Sequence, residues 1–181
     1  MPCFPANSPP AKRLIRKLIR DLKPEAIVCL GVSERLSEIS LERLAGNVDD
    51  FTAGDNAGES RHGERIVPNG PPAYWSTLPL GRMLAALQVN RIPVGFSNHA
   101  GTYVCNHVFY AALHEVEQLE IQAKCGFIHV LLMVEQLANP EKTNLGLPLG
   151  LMIDGIECCL NVLKERRPPQ LAAGSTERPL I

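Results

Sequence analysis

Residues Ile92 to Glu120 read IPVGFSNHAGTYVCNHVFYAALHEVEQLE. The stretch opens on a short apolar run, Ile92 to Asn98, with the character of a buried strand. It breaks at Gly101 and resumes with Val108, Phe109, Ala112, Leu113, Val116 and Leu119 at the spacing of one helical face. A strand that runs through a glycine turn straight into an amphipathic helix is the element from which sheets covered by helices are built.

The flanking sequence keeps the same alternation. Upstream, Leu14, Ile15, Leu18, Ile19 and Leu22 make a helical stripe within Ala11 to Leu22, and AIVCLG (Ala26 to Gly31) follows as a buried strand ending in glycine. YWSTLPLGRMLAALQVN predicts a helix capped at Ser76 or Thr77. Downstream, GFIHVLLM (Gly126 to Met133) reads as a third strand. A last helix near Leu147 to Glu165 points Leu151, Met152, Ile156, Cys159, Leu160 and Leu163 inward. Between Asn47 and Pro72 the chain is rich in Asp, Gly, Asn and Pro, a long loop with one short strand at RIVP. The pattern implies an α/β fold, a single domain over 1–167, with helices on both faces of a mostly parallel sheet. Residues 168–181 are proline-rich and polar and read as a disordered tail. Ligands of such sheets bind beyond the carboxyl ends of the strands, where Gly31, the 99–105 turn and His129 should gather.

Composition narrows the function. The 181 residues carry 18 Lys and Arg against 19 Asp and Glu, a net charge of -1, which gives no footprint for nucleic acid or an anionic membrane. The basic run KRLIRKLIR at Lys12 to Arg20 reads as the solvated face of a helix packed on the sheet. The N-terminus lacks the apolar core of a secretory signal, and no stretch approaches the roughly 18 apolar residues of a membrane span. Six cysteines without paired CxxC spacing read as reduced thiols in a cytoplasm, neither a zinc site nor a disulfide framework.

Cys105 stands apart from the other five. It falls in the first turn of the helix that starts near Thr102 or Tyr103, where unpaired N–H groups and the positive end of the dipole favour a thiolate and can take part in an oxyanion hole. Cys29 lies inside a strand, Cys125 just before one, and Cys158 and Cys159 on the last helix. A thiolate nucleophile needs a base and an acceptor to orient that base. His129, in an otherwise apolar strand, is the candidate base, although a lone core histidine is more often structural. Glu42, beside Arg43 in ISLERLAGN, is the candidate orienter, against the default of a surface ion pair. His99, Cys105 and His107 match no zinc spacing, and His62, His107 and His114 read as surface or capping residues.

Together, SNHAGTYVCNHVFY, GFIHV and ISLERLAGNVDD resemble the motifs of the pyroglutamyl peptidase I family of cysteine peptidases. Glutamate, cysteine and histidine follow in the family's order, at intervals of 63 and 24 residues (105 − 42 and 129 − 105). GPPAYWSTLPL and the closing helix extend the resemblance from about Pro24 to Glu165. The resemblance implies a three-layer α/β/α sandwich of the phosphorylase/hydrolase-like kind around a mostly parallel, mixed sheet. It implies removal of N-terminal pyroglutamyl residues from peptides, with Cys105 as nucleophile, His129 as base and later acid, and Glu42 as orienter. Tyr103 and Val104 would wall the pocket for the neutral lactam, which calls for apolar walls and a few amide contacts. No metal or organic cofactor is implied. The family also implies a cytoplasmic homo-oligomer, dimer or tetramer.

Three departures from the family bear on activity. The family opens with a strand and a Thr-Gly-Phe-x-Pro-Phe-Gly-Gly loop whose phenylalanines pack on the pyroglutamyl ring. This chain begins at what resembles the second strand, and a start assigned too late is expected over a true truncation, which would expose a sheet edge. The family's Gly-x-Ala-Gly-Gly-Arg turn is GVSERL here; Leu36 takes the arginine's place, and Arg35 is the candidate to serve the oxyanion hole through a local shift. Ala53 replaces a larger pocket residue, and His99 a small polar one. The alternatives are an impaired homologue serving as a binding or assembly module, and the same triad with changed acyl specificity.

Overall fold

A computed structural model describes residues 8–55, 58–137 and 145–165. In chain order the elements are α1 (Ser8–Leu22), β1 (Ala26–Val32), β2 (Ile39–Glu42), β3 (Leu44–Gly46), β4 (Asp49–Phe51), β5 (Arg61–Glu64), β6 (Ala73–Trp75), α2 (Leu80–Val89), β7 (Val94–Ser97), α3 (Val104–Gln118), β8 (Lys124–Val130), β9 (Leu132–Met133), β10 (Gly146–Leu147) and α4 (Leu149–Lys164). The expected tail at 168–181 lies outside the described residues.

The central sheet has the order β1-β8-β2-β7. β1 pairs with β8, and β2 with β7, in parallel; β8 and β2 run antiparallel. The sheet is mixed, as expected, with its one reversal at the strand that carries Glu42. Alternation along the strands sends side chains to two cores. One core joins Ile27 and Cys29 of β1 and Cys125 and Phe127 of β8 to Ala11, Ile15 and Ile19 of α1 and Val108, Phe109 and Ala112 of α3. The other joins Ile39, Leu41 and Ile128 to Met83 and Leu87 of α2 and Met152, Cys159 and Val162 of α4. Helices on both faces of one sheet make the three-layer α/β/α arrangement.

α1 differs from its sequence reading in what it touches. Its principal partner is α3 rather than the sheet, and its basic face is tied down. Arg16 and Arg20 both reach the buried carboxylate of Glu115, each at 2.5 Å. Lys12 donates to the Ile66 carbonyl at 2.6 Å, and Lys17 pairs with Asp21. Lys12, Arg16 and Arg20 thus tie α1 to the rest of the fold.

Other boundaries move for local reasons. The helix expected to start behind a cap at Ser76 or Thr77 begins at Leu80 instead, behind Pro79. The stretch before it is extended: Ala73–Trp75 pairs with β3, the Ser76 N–H donates to the Arg43 carbonyl, and the Thr77 N–H to the Cys125 carbonyl. Ser76 and Thr77 are thus strand-edge residues and not helix caps. The short strand expected at RIVP lies earlier, at Arg61–Glu64, opposite β4. β8 starts two residues before the predicted strand, which puts Cys125 inside it. Leu22, Leu119 and Leu160, expected inward, are exposed at their helix ends and outer face.

Candidate active site

β7 ends at Ser97, and the chain turns through Gly101, whose φ of +80° is the left-handed conformation that glycine tolerates. α3 then begins at Val104, with Tyr103 as its N-cap residue. Tyr103 offers no side-chain cap, and the first intrahelical bond runs from the His107 N–H to the Tyr103 carbonyl at 3.0 Å. The N–H groups of Val104, Cys105 and Asn106 are therefore free of helix partners. Cys105 sits among them, half-buried.

Gly31, near the end of β1, is what lets the thiol come this close to the sheet. A Cβ at that position would lie 2.9 Å from Cys105 Sγ and 2.8 Å from Phe127 Cζ. The sequence marks Gly31 as a strand end; the structure makes it the floor beneath the Cys105 thiol.

His129 lies on β8 and points to the same face. Its ring packs on Phe127 with centroids 4.7 Å apart, and its register partner on β1 is Gly31, the residue beside the Cys105 thiol. Its Nδ1–H donates to Glu42 Oε1 at 2.8 Å. Only 7% of His129 and 2% of Glu42 are exposed. Glu42 is a central-strand residue, which the sequence treated as part of an unassigned segment. Its neighbour Arg43 lies over the Phe96 ring, 4.0 Å from the centroid, so the surface Glu–Arg pair does not form. The residues proposed from sequence as nucleophile, base and orienter are thus brought together from α3, β8 and β2.

The electrostatics follow from burial and contacts. Burial opposes a charge on His129, but the hydrogen bonds and negative charge of Cys105 and Glu42 outweigh it and raise its pKa to about 9. Burial likewise pushes the Glu42 carboxyl up, and the hydrogen bonds from His129 and Ser40, with the neighbouring Ser97, bring it below its ordinary value. The structural cysteines go the other way. Burial pushes Cys29 to about 12, Cys125 well above an ordinary thiol and Cys159 to about 11. They stay neutral thiols at neutral pH.

Around these three residues, Tyr103 meets Phe51 edge-to-face, with centroids 4.7 Å apart and an interplanar angle of 87°. Val104 is 9% exposed and belongs to the α1/α3 core. Arg35 is exposed in the turn that follows β1. His99 is exposed in the 97–101 turn, and its Nδ1 accepts the Gly101 N–H at 3.0 Å. No group of three or more metal-ligating side chains occurs among the described residues.

His107 was misread. It is 5% exposed, with Nδ1 2.7 Å from Asp49 Oδ2, so it is a buried partner and neither a surface nor a capping residue. Beside it, Asn106 accepts the Gly46 N–H and donates to the Gly46 and Val48 carbonyls, all at 2.9 Å. The sequence passed over Asn106. Its place in the first turn of a buried helix, next to Cys105, is the signal that a polar side chain there must have partners.

A family model described as pyroglutamyl peptidase matches residues 3–166. The pyrrolidone-carboxylate peptidase of Bacillus thuringiensis is 39% identical over 150 residues, covering 82% of this chain and 69% of the relative. That of Bacillus mycoides is 37% identical over 163 residues, covering 90% and 75%. Among solved structures, a mutant pyrrolidone carboxyl peptidase from Pyrococcus furiosus superposes with a TM-score of 0.87 at 31% identity, over 91% of this chain and 81% of that one. Pyroglutamyl peptidase I from Bacillus amyloliquefaciens does so with 0.84 at 30%, over 88% and 75%. With the family model matched over nearly the whole chain and the fold shared with these solved structures, the chain belongs to the pyroglutamyl peptidase family, and it is a peptidase.

Proposed function

We propose that this chain is a cysteine exopeptidase that removes N-terminal pyroglutamyl residues from peptides, with Cys105, His129 and Glu42 as its triad. The observation that carries the reading is the gathering of a helix-start thiol and a buried His129–Glu42 pair around Gly31 at one end of the sheet. In the first step Cys105 Sγ, as thiolate, attacks the pyroglutamyl carbonyl carbon. The oxyanion is met by the free N–H groups of the first turn of α3. His129 Nε2, the nitrogen not engaged with Glu42, gives its proton to the leaving amine, and the C–N bond breaks. A water molecule then attacks the thioester while the same nitrogen takes its proton, and pyroglutamate leaves with the thiolate restored.

Tyr103 and Val104 wall the acyl pocket in this reading. Phe51, set edge-to-face against Tyr103, supports a ring-sized apolar surface beside the thiol. Arg35 is a lesser oxyanion candidate. A reducing cytoplasm fits the free thiols of all five described cysteines. The reading includes a homo-oligomer, dimer or tetramer, supported by Leu149, Ile153 and Leu160, which α4 turns to solvent. No helix among the described residues is long and apolar enough to cross a membrane.

The test is release of fluorophore from a pyroglutamyl-coumarin amide by the reduced protein. Turnover that disappears in Cys105→Ala is the expected result. Lack of turnover by a folded, reduced sample would overturn the substrate, and turnover that survives Cys105→Ala would overturn the mechanism.

A further inference from the structure

The carboxylate behind His129 has neighbours of its own. Strand register sets Ser40 across from His129 on β8, and sets Glu42 across from Ser97 on β7. Ser40 Oγ donates to Glu42 Oε1 at 3.1 Å, the oxygen that also receives His129 Nδ1. Ser40 is 5% exposed. The other oxygen, Oε2, is buried and makes no well-formed hydrogen bond among the described residues. Ser97, the register partner of Glu42 on β7, stands beside this carboxylate. At present its proton points to the His99 carbonyl at 3.2 Å, while its oxygen accepts the His99 N–H at 3.1 Å.

We propose that Ser40 and Ser97 are positioning residues of the triad, Ser40 fixing Glu42 Oε1 against His129 and Ser97 turning its hydroxyl onto Oε2 as His129 takes up a proton. This deepens the triad reading and rests on it. The physical reason is the cost of a buried carboxylate. An oxygen without a donor loses the solvation it had in water, and each hydroxyl that faces it restores part of that loss and fixes its direction. Two short side chains on neighbouring strands do this without adding a charge that would compete with His129. Ser97 does a second thing. Through His99 it ties the orienting carboxylate to the 97–101 turn, and the Gly101 N–H closes that turn on His99 Nδ1 at 3.0 Å. The carboxylate and the thiol are thereby set by the same few residues.

The charged groups facing Glu42 are few. His129 comes from β8, with Cys105 of α3 beyond it; β7 contributes the neutral Ser97, and Arg43 of β2's own end lies over Phe96. A change in the acid limb of activity therefore reports on this group of residues as a coupled set.

The experiment compares Ser40→Ala, Ser97→Ala and Ser97→Thr with the unmodified enzyme on the pyroglutamyl-coumarin amide across pH. Each alanine variant is expected to lose about three- to tenfold in kcat with KM nearly unchanged, the scale of one hydrogen bond to a charged group. The acid limb of kcat/KM should move up by roughly half to one pH unit as Glu42 binds a proton more readily. Ser97→Thr, which keeps the hydroxyl, should restore both. A purely structural serine would lower thermal stability and leave the limb where it was. Folded alanine variants with wild-type kcat and an unmoved limb would overturn the proposal. Ser97 is only half-buried at the end of β7, so its pair of variants decides the matter even if the Ser40 variant does not fold. Silence of the serines with Cys105→Ala dead removes only the positioning role; an active Cys105→Ala removes the triad itself.

Discussion

Two buried histidine–carboxylate pairs stand side by side on one face of this sheet. In one, His129 Nδ1 meets Glu42 at 2.8 Å; in the other, His107 Nδ1 meets Asp49 at 2.7 Å. All four residues are at most 7% exposed. The difference lies at the far ring nitrogen. His129 goes on to a half-buried thiol at a helix start, whereas His107 Nε2 and Asp49 Oδ1 are buried without hydrogen-bond partners among the described residues. A histidine held by a carboxylate is therefore no mark of catalysis in itself. The chemistry comes from what the other nitrogen can reach. The second pair fastens: with Asn106, and with Thr102, which exchanges hydrogen bonds with Asp50, it holds residues 46–51 against the first turns of α3. That strip brings Phe51 to Tyr103.

Replacing each histidine in turn gives the widest separation between the two pairs. His129→Ala should cost about 10⁴-fold in kcat/KM, because the proton carrier is lost while the backbone donors remain. His107→Ala should cost about 3–5 kcal/mol of stability, since Asp49 is left buried and unpaired. The folded fraction of that variant should keep kcat within about threefold of wild type. Steady-state kinetics with denaturant unfolding on both proteins checks the contrast. A well-folded His107→Ala as inactive as His129→Ala would erase it.

Glu42→Gln should be milder, on the order of 10²–10³-fold in kcat/KM, because histidine and thiol remain and only orientation and charge support go. Its pH behaviour carries the sharper signal. His129 is raised from 6.5 to about 9 in the folded protein. The stability it contributes is complete below about pH 6.5 and is lost as pH rises through about 9. The alkaline limb of activity, where the imidazolium is lost, should fall in the same region. Without the Glu42 charge that limb should move to lower pH, and the decline in stability between pH 6.5 and 9 should flatten. Asp49→Asn should leave the limb in place.

Much of this was legible in the chain. The strand–turn–helix from Ile92 to Gln118 announces itself, because both its periodicities are clean and Gly101 separates them. Cys105 followed, since a first-turn position needs only the helix start. β2 was harder. ISLE shows no marked alternation, as all four residues are buried, and Glu42 has the look of a surface residue until β8 and β7 close on either side. His107 was lost for a related reason. Its partner Asp49 is 58 residues away and sits in a segment whose Asp, Asn and Gly content suggests an open loop. Pairings of that range are made by the fold, and a single sequence carries no local trace of them.

Gly31→Ala tests the floor of the first pair alone. The added methyl would meet Cys105 Sγ and Phe127 at under 3 Å, so the thiol must shift from His129. We expect a loss of about ten- to fiftyfold in kcat/KM with about 1–3 kcal/mol of destabilisation from overpacking. Alkylation of Cys105 by iodoacetamide should slow as well, because the added methyl crowds the sulfur that the reagent must reach. An alanine variant with unchanged kinetics would mean that the thiol does not need this closeness to the sheet.

Arg35→Ala should have the smallest effect. Arg35 is exposed in the turn after β1, while the free N–H groups at the start of α3 already surround Cys105. A flexible, hydrated guanidinium outside the site adds little to an oxyanion hole built from fixed backbone donors, whose direction is set before the substrate arrives. The expected change in kcat/KM is within about threefold, in contrast to the 10²–10³-fold that a true oxyanion donor supplies. A loss in that larger range, with KM unchanged, would show that the turn folds inward when substrate binds and that Arg35 has taken over the task left open by Leu36. The catalytic pair would then extend to a third strand end, and the fastening pair would still have no counterpart to it.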